Sequence, residues 1–163
     1  NHTYSHPHLN SLSGEAIANE IIRNHEMIKS LTGKDPVLFR PPFGEYSDKV
    51  ISTARSLGYQ TIQWSVDSLD WKGVSADYIY NRVMSRVKPG DIILFHNNGE
   101  HTAEAIERLL PALKSRGFSV VPISELLIPE DYYIEEHSGT QRRRAPRIEE
   151  PRVPGGPAGT RRV

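Results

Sequence analysis

Two histidines stand four positions apart in Asn1-His2-Thr3-Tyr4-Ser5-His6, with Pro7 immediately behind them. Imidazoles at i and i+4 fall on one side of a single backbone turn and can share one metal ion. Pro7 disfavours the α region at His6, so the pair is expected on a tight loop, or on a helical turn that ends there. The chain has no cysteine, so any metal must be held by His, Asp or Glu. The pair lacks the Glu of a His-Glu-x-x-His protease. Neither a Gly-x-Ser-x-Gly elbow nor a phosphate-binding Gly-x-x-x-x-Gly-Lys loop occurs. Ordinary surfaces also produce such pairs by chance, so the spacing needs support from elsewhere in the chain.

Three later clusters supply it. Val37-Leu38-Phe39 runs into Arg40-Pro41-Pro42-Phe43-Gly44, the β-rich run 59–66 leads to Asp67 and Asp70, and the apolar run 92–95 ends on His96. Each residue alone has a plain structural reading. Arg40 could be an ion-pair partner, Asp67 a turn cap, Asp70 a helix start and His96 a satisfied core histidine, while Trp71 and Leu94 read as core. What sets them apart is a shared position at the carboxyl end of a strand. In parallel β/α folds those ends open on one face, so the clusters are expected to converge. His8, His25 and His101 lack that position and read as surface residues.

The elements that must position these groups follow from periodicity. Residues 14–31 carry Ile17, Ile21, Met27, Ile28 and Leu31 at helical spacing, with Ser13 as a cap and Gly33 as a stop. Residues 47–57, 75–87 and 102–116 read as further helices, and 123–128 as a short closing one. Residues 37–39, 59–66, 92–95 and 118–121 read as strands. Strands alternating with helices argue for a parallel α/β architecture buried on both faces.

A chain of 163 residues fits one domain. Its formal charge is balanced but uneven: residues 137–163 hold seven Arg against two Glu, a net of +5, which leaves the body near −5. That body has no basic footprint for nucleic acid. No apolar run is long enough for a membrane span, and no signal-peptide pattern stands at the start. Residues 137–163, rich in Arg, Gly and Pro, read as a disordered tail, not native to the domain in one reading, behind the body of the domain at 1–136.

With these residues in view, the sequence resembles the NodB-like polysaccharide deacetylases, carbohydrate esterase family 4. His2-Thr3-Tyr4-Ser5-His6 matches the family's His-Ser/Thr-x-x-His. Arg40-Pro41-Pro42-Phe43-Gly44 is similar to its Arg-Pro-Pro-Tyr-Gly, Asp67-Ser68-Leu69-Asp70-Trp71 to its Asp-x-x-Asp-Trp, and Leu94-Phe95-His96 to its Leu-x-His. The resemblance implies a distorted (β/α) barrel and metal-dependent removal of N-acetyl groups from amino-sugar polysaccharide. It further implies a divalent metal on His2 and His6, zinc first and cobalt, nickel or manganese as alternatives. Arg40 then holds the catalytic base, the Phe43 backbone N–H stabilises the oxyanion, and His96, oriented by Asp70, protonates the leaving amine. Trp71 and Leu94 wall the acetyl pocket, and Asp67 has a supporting role. The family's Thr-Phe-Asp-Asp motif, source of the base and of a third metal ligand, is not in this chain. The N-terminal strands are therefore expected to be missing here, with activity depending on that segment as a partner. The other implied partner is an N-acetylated glycan of peptidoglycan or chitin type, met outside the cell or in its envelope. Alternatives are an O-acetyl xylan esterase and a non-catalytic carbohydrate-binding relic of the fold.

Overall fold

Three serines open three helices in the same way. Ser13, Ser47 and Ser75 are extended, and each hydroxyl accepts the backbone N–H three residues on, from Ala16, Val50 and Tyr78. Each such cap contributes about 1 kcal/mol. In the computed structural model, which describes residues 1–145, they start α1 (Gly14–Thr32), α2 (Asp48–Ser56) and α3 (Ala76–Arg86). Helix α1 stops where Gly33 turns left-handed at φ 69°, a conformation open to glycine at little cost. Helix α4 (Thr102–Ser115) follows later in the chain.

The strands are parallel and short. β1 (Leu38–Phe39) pairs with β2 (Gln60–Thr61), and β3 (Val66–Asp67) pairs with β4 (Ile93–Leu94). Asn1 donates to Leu38 O in β1 and accepts from the N–H of Arg40 just past its end, so His2 lies beside Arg40 at a strand end. Each pair has its own core. Leu9, Ile17, Ile21, Phe39, Val50, Ala54 and Tyr59 fill the space between α1, α2 and the first pair. Val66, Ala76, Ile79, Val83, Ala105, Leu109 and Leu113 do the same for α3, α4 and the second.

The chain divides into two compact units, residues 1–120 and 121–163. The second, described to residue 145, contains α5 (Ile123–Leu126) and an antiparallel hairpin of β5 (Tyr132–Ile134) and β6 (Gln141–Arg143). This hairpin crosses the expected boundary at 136/137, because Glu135 and Thr140 close a turn around Gly139 that composition alone does not reveal. The rest of the expected tail, 146–163, lies outside the described residues.

Two further expectations are corrected. Residues 118–121 form no strand: the Phe118 N–H folds back to Leu113 O and closes the end of α4, and Val120 is left 64% exposed. The apolar stripe of α1 is buried only at Ile17 and Ile21, with Met27 and Leu31 exposed. No helix among the described residues is long and apolar enough to cross a membrane.

Candidate active site

The His2–His6 segment is a loop. Thr3 and His6 both adopt positive φ, 66° and 57°. Thr3 is buried, donates its hydroxyl to His2 O and accepts the His6 N–H at 3.1 Å, so it ties the two histidines across the loop. The rings meet edge to face with centroids 4.9 Å apart. His2 Nδ1 bonds the Arg40 carbonyl oxygen, which can only accept. Nδ1 therefore carries the proton, and Nε2 keeps a free lone pair. Burial, joined by the charges of Arg40 and His6, outweighs that hydrogen bond and lowers the His2 pKa to about 4, so the ring is neutral at pH 7. A neutral imidazole with Nε2 free suits a metal, and the His6 ring beside it is the second candidate donor. No group of three or more His, Cys, Asp or Glu positioned for a metal occurs among the described residues.

Arg40 is half-buried, and burial lowers its pKa. No carboxylate pairs with its guanidinium among the described residues. Behind it, Pro41 and Pro42 are buried and hold a short turn closed by Gly44 N–H to Pro41 O and Glu45 N–H to Pro42 O. Phe43 caps that turn at φ 57° with its ring 56% exposed. The ring sits against His6 edge to face at 4.6 Å and stacks on His8 at 4.0 Å. The Phe43 N–H has no acceptor among the described residues.

The second cluster centres on Asp70, a buried carboxylate. Its Oδ1 lies 2.8 Å from His96 Nδ1, and its Oδ2 accepts the His96 backbone N–H and the Thr102 hydroxyl, each at 2.7 Å. Burial pushes the Asp70 pKa up, but hydrogen bonds from His96, Thr102 and Ser68 outweigh it and leave the pKa lowered. His96 thus keeps Nδ1–H on the carboxylate and Nε2 free. Asp67 Oδ1 accepts the Leu69 N–H at 2.9 Å, shaping the turn into Asp70. Trp71 is 54% exposed, whereas Leu94 is buried.

The contacts therefore join His2, His6, Arg40 and Phe43 into one group, and Asp70 and His96 into a second. Four of the five non-glycine residues with positive φ among those described, Thr3, His6, Phe43 and Leu69, fall in the segments that carry these groups. Strained backbone of this kind gathers at functional sites. Sequence reasoning missed Thr102 and Gly99. A Cβ on Gly99 would come within 2.1 Å of Thr102 Oγ1 and 3.1 Å of Asp70 Oδ2. The signal was a glycine three residues after His96. His8 is exposed, as expected, while His25 is partly buried. His8 bonds Glu45 at 2.7 Å, and His25 bridges the Tyr59 hydroxyl and Asp35.

Comparison with known proteins places this geometry among relatives. A family profile for polysaccharide deacetylases matches residues 1–62. A peptidoglycan-N-acetylglucosamine deacetylase of Bacillus cereus is 38% identical over 130 residues, covering 77% of this chain and 47% of that protein. The chain thus spans about half the length of that relative. The crystal structure of a family 4 carbohydrate esterase pseudoenzyme from Bacillus anthracis superposes with a TM-score of 0.75 at 36% identity, covering 77% of this chain and 44% of that one. A family 4 carbohydrate esterase from Streptomyces lividans, in complex with acetate, superposes at 0.71 with 32% identity, covering 88% and 68%.

Proposed function

Because this chain belongs to the polysaccharide deacetylases, the family 4 carbohydrate esterases, and shares their (β/α) fold, we propose that it carries most of the site of a metal-dependent N-deacetylase. The substrate is an N-acetylated amino-sugar polysaccharide of peptidoglycan or chitin type, met at the cell envelope, and the products are a free amine and acetate. The observation that carries this reading is the presentation of His2. Its Nδ1–H is committed to the Arg40 carbonyl, and its neutral ring offers Nε2.

His2 and His6 would hold the metal, with zinc the first candidate and cobalt, nickel or manganese the others. When bound, such an ion supplies Lewis-acid polarisation of the acetyl carbonyl and of the attacking water. The unpaired Arg40 guanidinium fits a carboxylate partner, and that partner is the base that takes the proton of the water. This carboxylate and a third ligand are the two groups the reading requires in addition to those among the described residues. As water adds to the carbonyl carbon, the free N–H of Phe43 receives the developing oxyanion, a donor typically worth about 3 kcal/mol. His96, in its doubly protonated form with Nδ1–H held on Asp70, passes the Nε2 proton to the amine nitrogen and is left as the neutral ring. The C–N bond then breaks, releasing acetate and the amino sugar. Trp71 and Leu94 wall the space for the acetyl methyl.

One observation favours a second reading, a carbohydrate-binding protein without turnover: only two of three expected ligands are present among the described residues. The solved neighbour described as a pseudoenzyme has the same fold. Acetate release from N-acetylglucosamine oligomers and from peptidoglycan by the full-length protein, with zinc and with chelator, separates the two. Chelator-sensitive release is expected, and glycan binding without release from either substrate would overturn the enzymatic reading.

A further inference from the structure

Helix α1 reaches the loop between the two histidines through one side chain. Glu20 Oε2 accepts the backbone N–H groups of Tyr4 at 3.0 Å and Ser5 at 2.8 Å, while Oε1 accepts the Ser5 hydroxyl at 2.8 Å. Tyr4 and Ser5 are two of the three residues between His2 and His6. The third, Thr3, is bonded within the loop itself. A carboxylate spanning two successive N–H groups holds them as a backbone nest holds an anion.

This loop needs an outside hold. It is not helical, so no i to i+4 bond fixes the two imidazoles, and Thr3 and His6 both occupy a region disfavoured for residues with a Cβ. Glu20 is itself well fixed, because Ile17 and Ile21 on either side of it are fully buried and seat α1. The same helix grips the loop elsewhere. Arg23 lies 3.9 Å over the Tyr4 ring, Asn24 donates to Asn1 Oδ1 at 2.9 Å, and Ile21 O accepts from Asn1 Nδ2 at 3.0 Å. Burial tends to raise the Glu20 pKa, but the bonds from Ser5 and Tyr4 and the charge of Arg23 outweigh it and lower the pKa. The group is thus a carboxylate at neutral pH.

We propose that Glu20 is a positioning residue for metal binding: it holds the turn between His2 and His6 so that both imidazoles face one ion. This rests on the reading of His2 and His6 as ligands.

The test measures the zinc dissociation constant of the full-length protein by chelator competition, for the parent, H2A, E20A, E20Q and S5A, with melting of each metal-free form in parallel. Loss of an outer partner of a metal ligand typically weakens binding about 10- to 100-fold, and E20A is expected in that range with an unchanged metal-free melting temperature. E20Q, which keeps one acceptor oxygen, is expected to lose less. S5A, which removes a single bond, is expected to lose about fivefold. If E20A does not fold, S5A decides. Zinc affinity within about twofold of the parent in S5A, and in E20A where it folds, while H2A is clearly weakened, overturns the role of Glu20 and leaves the ligands standing. A parent that binds no zinc, or an H2A variant that binds as the parent does, overturns the ligand reading itself and Glu20 with it. Weakening in E20A that comes with a lower metal-free melting temperature, while S5A is unchanged, also overturns it.

Discussion

Asp70 grips His96 at two points, taking the ring Nδ1–H on one carboxylate oxygen and the backbone N–H on the other. Ring orientation and loop position are therefore set by one buried group. Thr102 adds a third bond to it from the first turn of α4.

If His96 is the proton donor to the leaving amine, His96→Ala lowers kcat by about 10²- to 10⁴-fold, the usual range for a positioned acid or base, with little change in KM. Acetate-release kinetics of the full-length enzyme check this. An unchanged kcat removes His96 from the chemistry.

The lowered Asp70 pKa predicts acid sensitivity with a defined sign. The unfolded-state carboxyl titrates near 3.9, and the folded one lies below it. The stabilisation is full above about pH 4 and is lost as pH falls through the folded value. Melting temperatures of parent and Asp70→Asn are expected to differ most at neutral pH and to converge in acid.

His2 acts in a different window. Its folded pKa of about 4 lies below the ordinary value near 6.5, so the neutral ring favours the folded state above pH 6.5, and that contribution fades as pH falls to about 4. In metal-free protein, His2→Asn is expected to flatten the melting-temperature profile across this interval. A profile identical to the parent's would show that His2 titrates normally.

Gly99→Ala forces a methyl onto Thr102 Oγ1 and Asp70 Oδ2. Overpacking of this kind costs about 1–3 kcal/mol, read by urea unfolding. The displacement should also lower activity as the Asp70 grip on His96 loosens. Equal stability and activity would mean that the loop yields without cost.

Phe43→Tyr is expected to keep kcat/KM within about threefold, because the group assigned at this position is a backbone N–H worth far more than a ring hydroxyl at its exposed edge. A larger fall would place the side chain itself in the reaction.

How much of this was legible beforehand divides by the range of the interaction. The helices were readable because Ser13, Ser47 and Ser75 cap them locally and Gly33 ends the first. His2, His6, Arg40, Asp70 and His96 were readable because each lies in a short motif at a strand end. Strand lengths were not: an apolar run such as 92–95 shows β preference, but pairing partners limit the ladder to Ile93–Leu94. Residues 118–121 failed for the same reason, having the composition of a strand and no pairing partner among the described residues. Glu20 and Thr102 were invisible because an acidic residue on a helix and a hydroxyl at a helix start have ordinary local roles. Only the fold brings Glu20 to Ser5 across fifteen positions and Thr102 to Asp70 across thirty-two.

The two strand pairs have separate apolar fillings, and each is expected to open as its own cooperative unit. One holds the imidazole pair through Phe39 and α1, and the other holds His96 through Val66 and α4. Amide exchange should sort the protected N–H groups into two sets with different opening energies. Whichever set opens more readily limits how long the two groups remain assembled, so the lifetime of the site is set by the weaker half and not by the average of the fold.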